Sequence, residues 1–185
     1  MAEELRTLFA HTIAQAANFA SSQVSDAGGH GTSDPNQRRS RVLFELGPFG
    51  PPFLERLRFV LPHILFMLGR PHFAVTQLEL QLTASNDGDF FRPHRDTGSG
   101  ATAARELTFV YFFHREPRRF TGGELRIFGE GTDPDHKVAP SVVVEPAQNE
   151  IVFFPSHLLH EVLPVYCSSR AFEDSRFTVN GWYRR

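Results

Sequence analysis

A chain of 185 residues with a net charge of -2 and a pI near 6.5 is long enough for one hydrophobic core and exerts no global pull on nucleic acid or anionic membrane. The single cysteine, Cys167, excludes an internal disulfide and fits a reducing compartment; no secretory leader is visible, and the most apolar run, 59–68, is too short to span a bilayer and contains Pro62 and His63. One domain, 1–185, in the cytoplasm, with neither a nucleic-acid nor a membrane partner, is the expectation.

Residues 2–20 carry Leu5, Leu8, Phe9, Ile13, Ala16, Ala17 and Ala20 near helical spacing, which predicts an amphipathic helix. Residues 21–40 lose this periodicity and fill with Ser, Gly, Asp, Asn and Pro, the composition of a mobile loop. A short strand is expected at 41–46, closed by Gly47-Pro48. A helix comes next over 53–68, opened by Pro51-Pro52, broken or kinked at Pro62 and ended by Gly69 and Pro71. This first part, 1–70, reads as helical support for the rest of the chain.

From Phe73 the period changes to two. Leu78, Leu80 and Leu82 alternate with Gln77, Glu79 and Gln81, a strand with one wet face. Asn86-Asp87-Gly88 turns the chain into a strand at 90–94, and further strands are expected at 107–113, 124–128, 141–145, 150–154, 160–165 and 176–183, with turn residues between nearly all of them. Many short strands predict a mainly β (α+β) fold in which 71–185 forms a sandwich or jelly roll and the helices pack on one sheet. Nineteen Phe against one Trp and three Tyr predict a core of aromatic rings. The Arg clusters at 38, 39 and 41 and at 115, 118 and 119 read as solvated faces.

Chemistry concentrates at the end of the strand 90–94. His94 and Asp96, two positions apart in extended chain, share a face and can reach one metal ion, although a His-x-Asp pair alone is weak. His160, at the start of a later strand, is the third candidate; two His and one carboxylate form the facial set of non-haem Fe(II) oxygenases. On the last strand Arg176, Thr178, Asn180 and Trp182 share a face, and an inward guanidinium beside a hydroxyl suits a carboxylate. The Gly-rich segment 97–104 is either a cover over a substrate or a plain connection. His114-Arg115-Glu116 is a competing His-x-carboxylate pair, and His157 competes with His160.

His94-Arg95-Asp96, His160-Glu161-Val162-Leu163-Pro164-Val165, Arg176-Phe177-Thr178, Thr121-Gly122-Gly123-Glu124-Leu125 and Gly181-Trp182-Tyr183 together resemble the Fe(II)- and 2-oxoglutarate-dependent dioxygenases, more narrowly their prolyl 4-hydroxylase-like branch. The likeness covers about residues 75 to 183. It implies a double-stranded β-helix that holds Fe(II) by His94, Asp96 and His160, which are thereby also the catalytic residues. It further implies 2-oxoglutarate as co-substrate, its distal carboxylate on Arg176 and Thr178, O2 as oxidant and ascorbate as an optional reductant. The reaction implied is hydroxylation of an unactivated C–H bond with release of succinate and CO2. Two departures stand out. Relatives often carry the carboxylate-binding Arg where this chain has Arg170, and a Tyr where it has Phe112.

The substrate is not legible: a prolyl residue in a peptide, a free amino acid and a small metabolite all fit. An anionic substrate would be favoured if Arg92 or Arg95 faced the pocket mouth. The alternative function is a non-catalytic cupin-like metal or ligand binder.

Overall fold

The computed structural model describes residues 3–25, 31–132 and 142–185. The chain opens with the helix Glu3–Ala14 (α1) and short strands at Ala20–Ser21 (β1), Val24–Ser25 (β2), Gly31–Thr32 (β3), Arg38–Arg39 (β4) and Arg41–Leu43 (β5). The helix Gly50–Met67 (α2) is next. The β-rich remainder comprises Gln77–Ser85 (β6), Phe90–His94 (β7), Arg105–Phe113 (β8), Thr121–Gly122 (β9), Leu125–Ile127 (β10), Val142–Val144 (β11), Glu150–Pro155 (β12), His160–Val162 (β13), Val165–Tyr166 (β14) and Arg176–Arg184 (β15).

Two antiparallel sheets hold most of these strands, the larger in the order β1-β5-β6-β15-β8-β12 and the smaller in the order β11-β10-β13-β7-β4. This is the expected jelly roll, a double-stranded β-helix. The long strands β6, β8 and β15 alternate strictly. Leu82, Ala84, Leu107, Phe109, Phe113, Phe177, Val179 and Tyr183 face the helices and bury Leu5 and Leu8 of α1 with Leu57, Leu61 and Leu65 of α2. The opposite face contributes Val110 and Phe112 to a second cluster with Leu125, Ile127 and Phe154 between the sheets. Tyr183 fastens the two layers, its hydroxyl donating to the Leu57 carbonyl at 2.9 Å.

Five expectations change. Helix α2 runs unbroken past Pro62, because Pro62 is exposed while Leu61 and Leu65 on either side are anchored in the core. The polar face of β6 is wet only where the strand begins: Gln77 is exposed and Glu79 half-buried, but Gln81, Thr83 and Ser85 are buried, since this face turns into the roll. The loop expected at 21–40 is partly structured, with β4 pairing to β7 through Arg38↔Phe91 and Arg39↔Phe90; residues 26–30 lie outside the described residues. The strand expected at 41–46 is limited to β5, and that at 160–165 splits into β13 and β14. Residue 141 of the strand expected at 141–145, and residues 133 and 134 of the preceding turn, also lie outside the described residues.

Gly181 sits at the centre of β15, where a Cβ would collide with the Glu79 carbonyl oxygen and the Phe109 ring. Both neighbours belong to the middle of the larger sheet and have no room to retreat. Gly181→Ala is therefore expected to cost about 3 kcal/mol by overpacking and to lower the thermal midpoint by roughly 6 to 12 °C. A midpoint within about 2 °C of wild type, by circular dichroism, would contradict this reading of the packing.

Candidate metal centre

Strand β7 ends at His94, and two residues on the chain re-enters the roll with Asp96, whose backbone N–H donates to the Ser156 carbonyl at 3.0 Å. Strand β13 pairs antiparallel with β7 so that His160 lies opposite His94. Pairing thus brings three side chains together from distant parts of the sequence: one ligand atom from each lies within 4.8 Å of the others. Asp96 Oδ1 is 3.7 Å from His94 Nε2, and Oδ2 is 3.3 Å from His160 Nε2.

The surroundings fix the ring orientation. His94 Nδ1 donates to the Arg92 carbonyl at 2.8 Å and His160 Nδ1 to that of Leu158 at 2.9 Å, which turns both Nε2 atoms inward. The Phe91 ring stacks on His94 with centroids 3.4 Å apart, and Phe154 meets His160 edge-on. Thr108 donates to Asp96 Oδ2 at 2.8 Å and contacts the Ser156 hydroxyl at 3.0 Å. Burial, helped by repulsion from His160, pushes the His94 pKa down to about 3, so the imidazole is neutral, as a metal ligand must be. Burial works to raise the Asp96 carboxyl, but His160 and then His94 outweigh it and hold the group far below the usual carboxylate range. Burial works to lower the His160 pKa, but Asp96 outweighs it and holds the group above the usual range, so this imidazole would release a proton on binding a divalent ion. The three side chains then offer two imidazole nitrogens and a carboxylate, aimed inward and converging.

The inward faces of β6 and β15 continue the pocket away from this triad. Arg176, Thr178, Asn180 and Trp182 line it together, as the alternation requires. Arg176 is only 3% exposed, yet among the described residues nothing hydrogen-bonds to its Nε and Nη2 or to the Thr178 hydroxyl. An unpartnered guanidinium is costly to bury, and this one keeps its charge with burial pushing its pKa down only to about 10. A carboxylate would satisfy it, so the fit to the distal end of 2-oxoglutarate is good. In register, Thr178 lies between Thr83 of β6 and Phe112 of β8, and Arg176 lies opposite Ser85. The Arg176 guanidinium stands 5.1 Å from the Phe112 ring centroid. Gly123 makes room for it, because a Cβ there would come within 2.7 Å of Arg176 Cδ.

The competitors fall elsewhere. Arg170 lies on an exposed turn and pairs with Asp87 at 3.0 Å. His114 Nδ1 contacts the Arg115 carbonyl, away from the triad, and the half-buried His157 reaches toward Glu130. Arg95 donates to the carbonyls of His157 and Thr132, and Arg92 to that of Asn36, so neither points a free guanidinium at the mouth. The segment 97–104 is pinned to the last strand through Arg184 Nη2 to the Ala101 carbonyl and the Arg185 N–H to that of Ala104. Two residues escaped the sequence reading. Thr108 carried a signal, a lone hydroxyl in an apolar strand; Arg38, which lines the pocket beside the triad, carried none.

The family model of the 2OG-Fe(II) oxygenase superfamily matches residues 80–184, which span β6 to β15 and all three candidate ligands. The chain belongs to the 2OG-Fe(II) oxygenase superfamily. An uncharacterized PKHD-type hydroxylase from Synechocystis sp. is 44% identical over 161 residues, covering 83% of this chain and 52% of that protein. The chain thus spans about half the length of the curated relative it matches. A Pseudomonas putida prolyl-4-hydroxylase superposes with a TM-score of 0.64 at 21% identity, covering 98% of this chain and 85% of that one. A Trichoplax adhaerens prolyl hydroxylase, solved with a hypoxia inducible factor peptide, gives 0.65 at 17% identity over 96% and 78% of the two chains. The superfamily fold is therefore shared at low identity. No helix among the described residues is long and apolar enough to cross a membrane.

Proposed function

We propose that this protein is a 2-oxoglutarate-dependent hydroxylase that binds Fe(II) through His94, Asp96 and His160 and the distal carboxylate of 2-oxoglutarate through Arg176 and Thr178. The observation that carries the proposal is one pocket with two complementary ends: three converging ligands at one, and a buried, unpartnered guanidinium and hydroxyl at the other. A dicarboxylate that reached a metal ion with its 2-oxo acid end would satisfy both. When bound, Fe(II) and 2-oxoglutarate would supply O2 activation, with succinate and CO2 as by-products of hydroxylating a C–H bond.

The protein's own residues do the rest. The Nδ1 hydrogen bonds of both His and the Thr108 bond to Asp96 preset the ligand geometry. Phe112 offers Arg176 a ring face where relatives often have a Tyr. Thr83, which accepts from both Gln81 and Asn180 at 3.0 Å, keeps its own hydroxyl proton free to donate next to Thr178. Val110, Leu125 and Val162 line the pocket and limit water near the metal end. The substrate is a prolyl residue, a free amino acid or a small metabolite.

Anaerobic titration of the purified protein with Fe(II) and then 2-oxoglutarate tests this. The expected result is a weak visible charge-transfer band that saturates with 2-oxoglutarate and is unchanged in Arg170→Ala. Iron binding without such a band would mean that the open positions take no 2-oxo acid, and a cupin-like binder would replace the hydroxylase.

A further inference from the structure

Arg38 is neither a metal ligand nor part of the Arg176 end, yet it lines the same pocket as His94, Asp96 and His160. Pairing of β4 with β7 sets it opposite Phe91, and its guanidinium carbon lies 4.7 Å from the Phe91 ring centroid. Phe91 in turn stacks on His94, so one ring touches both the Arg38 guanidinium and a candidate metal ligand. The Arg38 Nε donates to the Ser40 hydroxyl at 3.0 Å, which fixes the plane of the group. Its two terminal nitrogens donate to no atom of the described residues. Burial pushes its pKa down to about 10, against the pull of Asp96, so the group remains charged near neutral pH.

Charge balance says what is missing. Arg38, Arg39 and Arg176 line the pocket, with Asp96 as its only carboxylate among the described residues. Fe(II) and doubly ionised 2-oxoglutarate would cancel each other, and Asp96 offsets one Arg. Two positive charges would remain, which with Arg176 on the distal carboxylate are those of Arg38 and Arg39 on β4. Arg39 is exposed and satisfied in part by the Pro35 carbonyl, whereas Arg38 is half-buried, oriented by Ser40, and has its terminal N–H groups to give. That is the geometry of a carboxylate clamp.

We infer that Arg38 binds a carboxylate of the prime substrate, so that the enzyme takes a free carboxylic acid in preference to a neutral, internal peptidyl residue. This rests on the hydroxylase reading and deepens it by naming the substrate class. The other carboxylate that could reach Arg38 is the 2-oxo acid end of the co-substrate, and the test separates the two.

The test is proton relaxation of small probes by the paramagnetic Fe(II) and 2-oxoglutarate complex, recorded anaerobically, so that no turnover is needed. The probes are two matched pairs, acetate with acetamide and N-acetyl-L-proline with its amide. In wild type both acids are expected to be broadened saturably, with apparent affinities about tenfold or more above those of their amides. Arg38→Gln should bring acid and amide within about twofold, Arg38→Lys should restore part of the preference, and Arg92→Gln should leave it intact. Broadening of neither acid, or an acid preference that survives Arg38→Gln, would overturn the inference. So would an Arg38→Gln protein that needs much more 2-oxoglutarate to form its visible band, because Arg38 would then serve the co-substrate. Failure of the wild-type band to form removes the hydroxylase reading and this inference with it. The thermal midpoint of each variant verifies folding, with Arg38→Lys as the charge-preserving control.

Discussion

Asp96→Ala should form no visible chelate with Fe(II) and 2-oxoglutarate, and uncoupled succinate formation should fall below about a thousandth of the wild-type rate. Asp96 is the only anionic member of the triad, and both imidazoles lean on it, at 3.7 and 3.3 Å. Without it two neutral nitrogens are left to hold a divalent cation against water, a weak and poorly oriented pair. The graded companion is Thr108→Val, which keeps all three ligands but removes the hydroxyl bonded to Asp96 Oδ2 at 2.8 Å. Loss of such a supporting hydrogen bond should weaken Fe(II) binding by about 10- to 100-fold, measured by competition with a chelator. Full Fe(II) affinity and a normal band in Asp96→Ala would place the metal elsewhere. Full affinity in Thr108→Val alone would mean that Ser156 and the Asp96 backbone suffice to hold the carboxylate.

Which features the sequence disclosed depends on how each of them is built. Alternation on β15 placed Arg176, Thr178, Asn180 and Trp182 on one face without any knowledge of neighbours, because period two is a property of the strand itself. The His94 and Asp96 pair was legible from its spacing, although Asp96 lies two residues past the end of β7. The direction of the polar face of β6 was not. Gln77, Glu79 and Gln81 read as solvent-facing, but a jelly roll has an interior surface of its own, and here Gln81 joins Thr83 and Ser85 in its wall. Arg38 was illegible in a stronger sense. Nothing local distinguishes it from Arg39 or Arg41; only pairing of β4 with β7, far along the chain, carries it to the metal end. Pro62 misled because propensity was weighed without Leu61 and Leu65, whose burial holds both halves of α2 in line. The Gly122-Gly123 pair was visible as part of a family pattern. Its cause is tertiary, since both residues have positive φ and Gly123 also yields space to the stem of Arg176.

Arg176→Met should move two quantities in opposite directions: it should raise the thermal midpoint of the protein without 2-oxoglutarate, and abolish the stabilisation that 2-oxoglutarate confers. The Arg176 side chain is buried with Nε and Nη2 unsatisfied among the described residues, and Glu124 is the only charge that supports it. Such a group is held against a desolvation cost of several kcal/mol, of which a methionine of similar length would relieve a part. Each kcal/mol recovered should appear as about 2 to 4 °C in the midpoint. The same variant leaves the distal carboxylate facing a thioether, and losing one partner of a buried charge pair costs about 2 to 5 kcal/mol, so the 2-oxoglutarate concentration needed for the visible band should rise by roughly thirtyfold to several thousandfold. A scaffold role predicts the reverse on both counts: if Arg176 mainly supported Glu124 and Phe112, the variant would melt earlier and still bind 2-oxoglutarate. Thermal scans of wild type and variant across a 2-oxoglutarate series, with Arg170→Ala as the exposed control, read both quantities at once. A midpoint that rises while its dependence on 2-oxoglutarate disappears would mean that the fold tolerates an unfavourable buried charge because the co-substrate needs it.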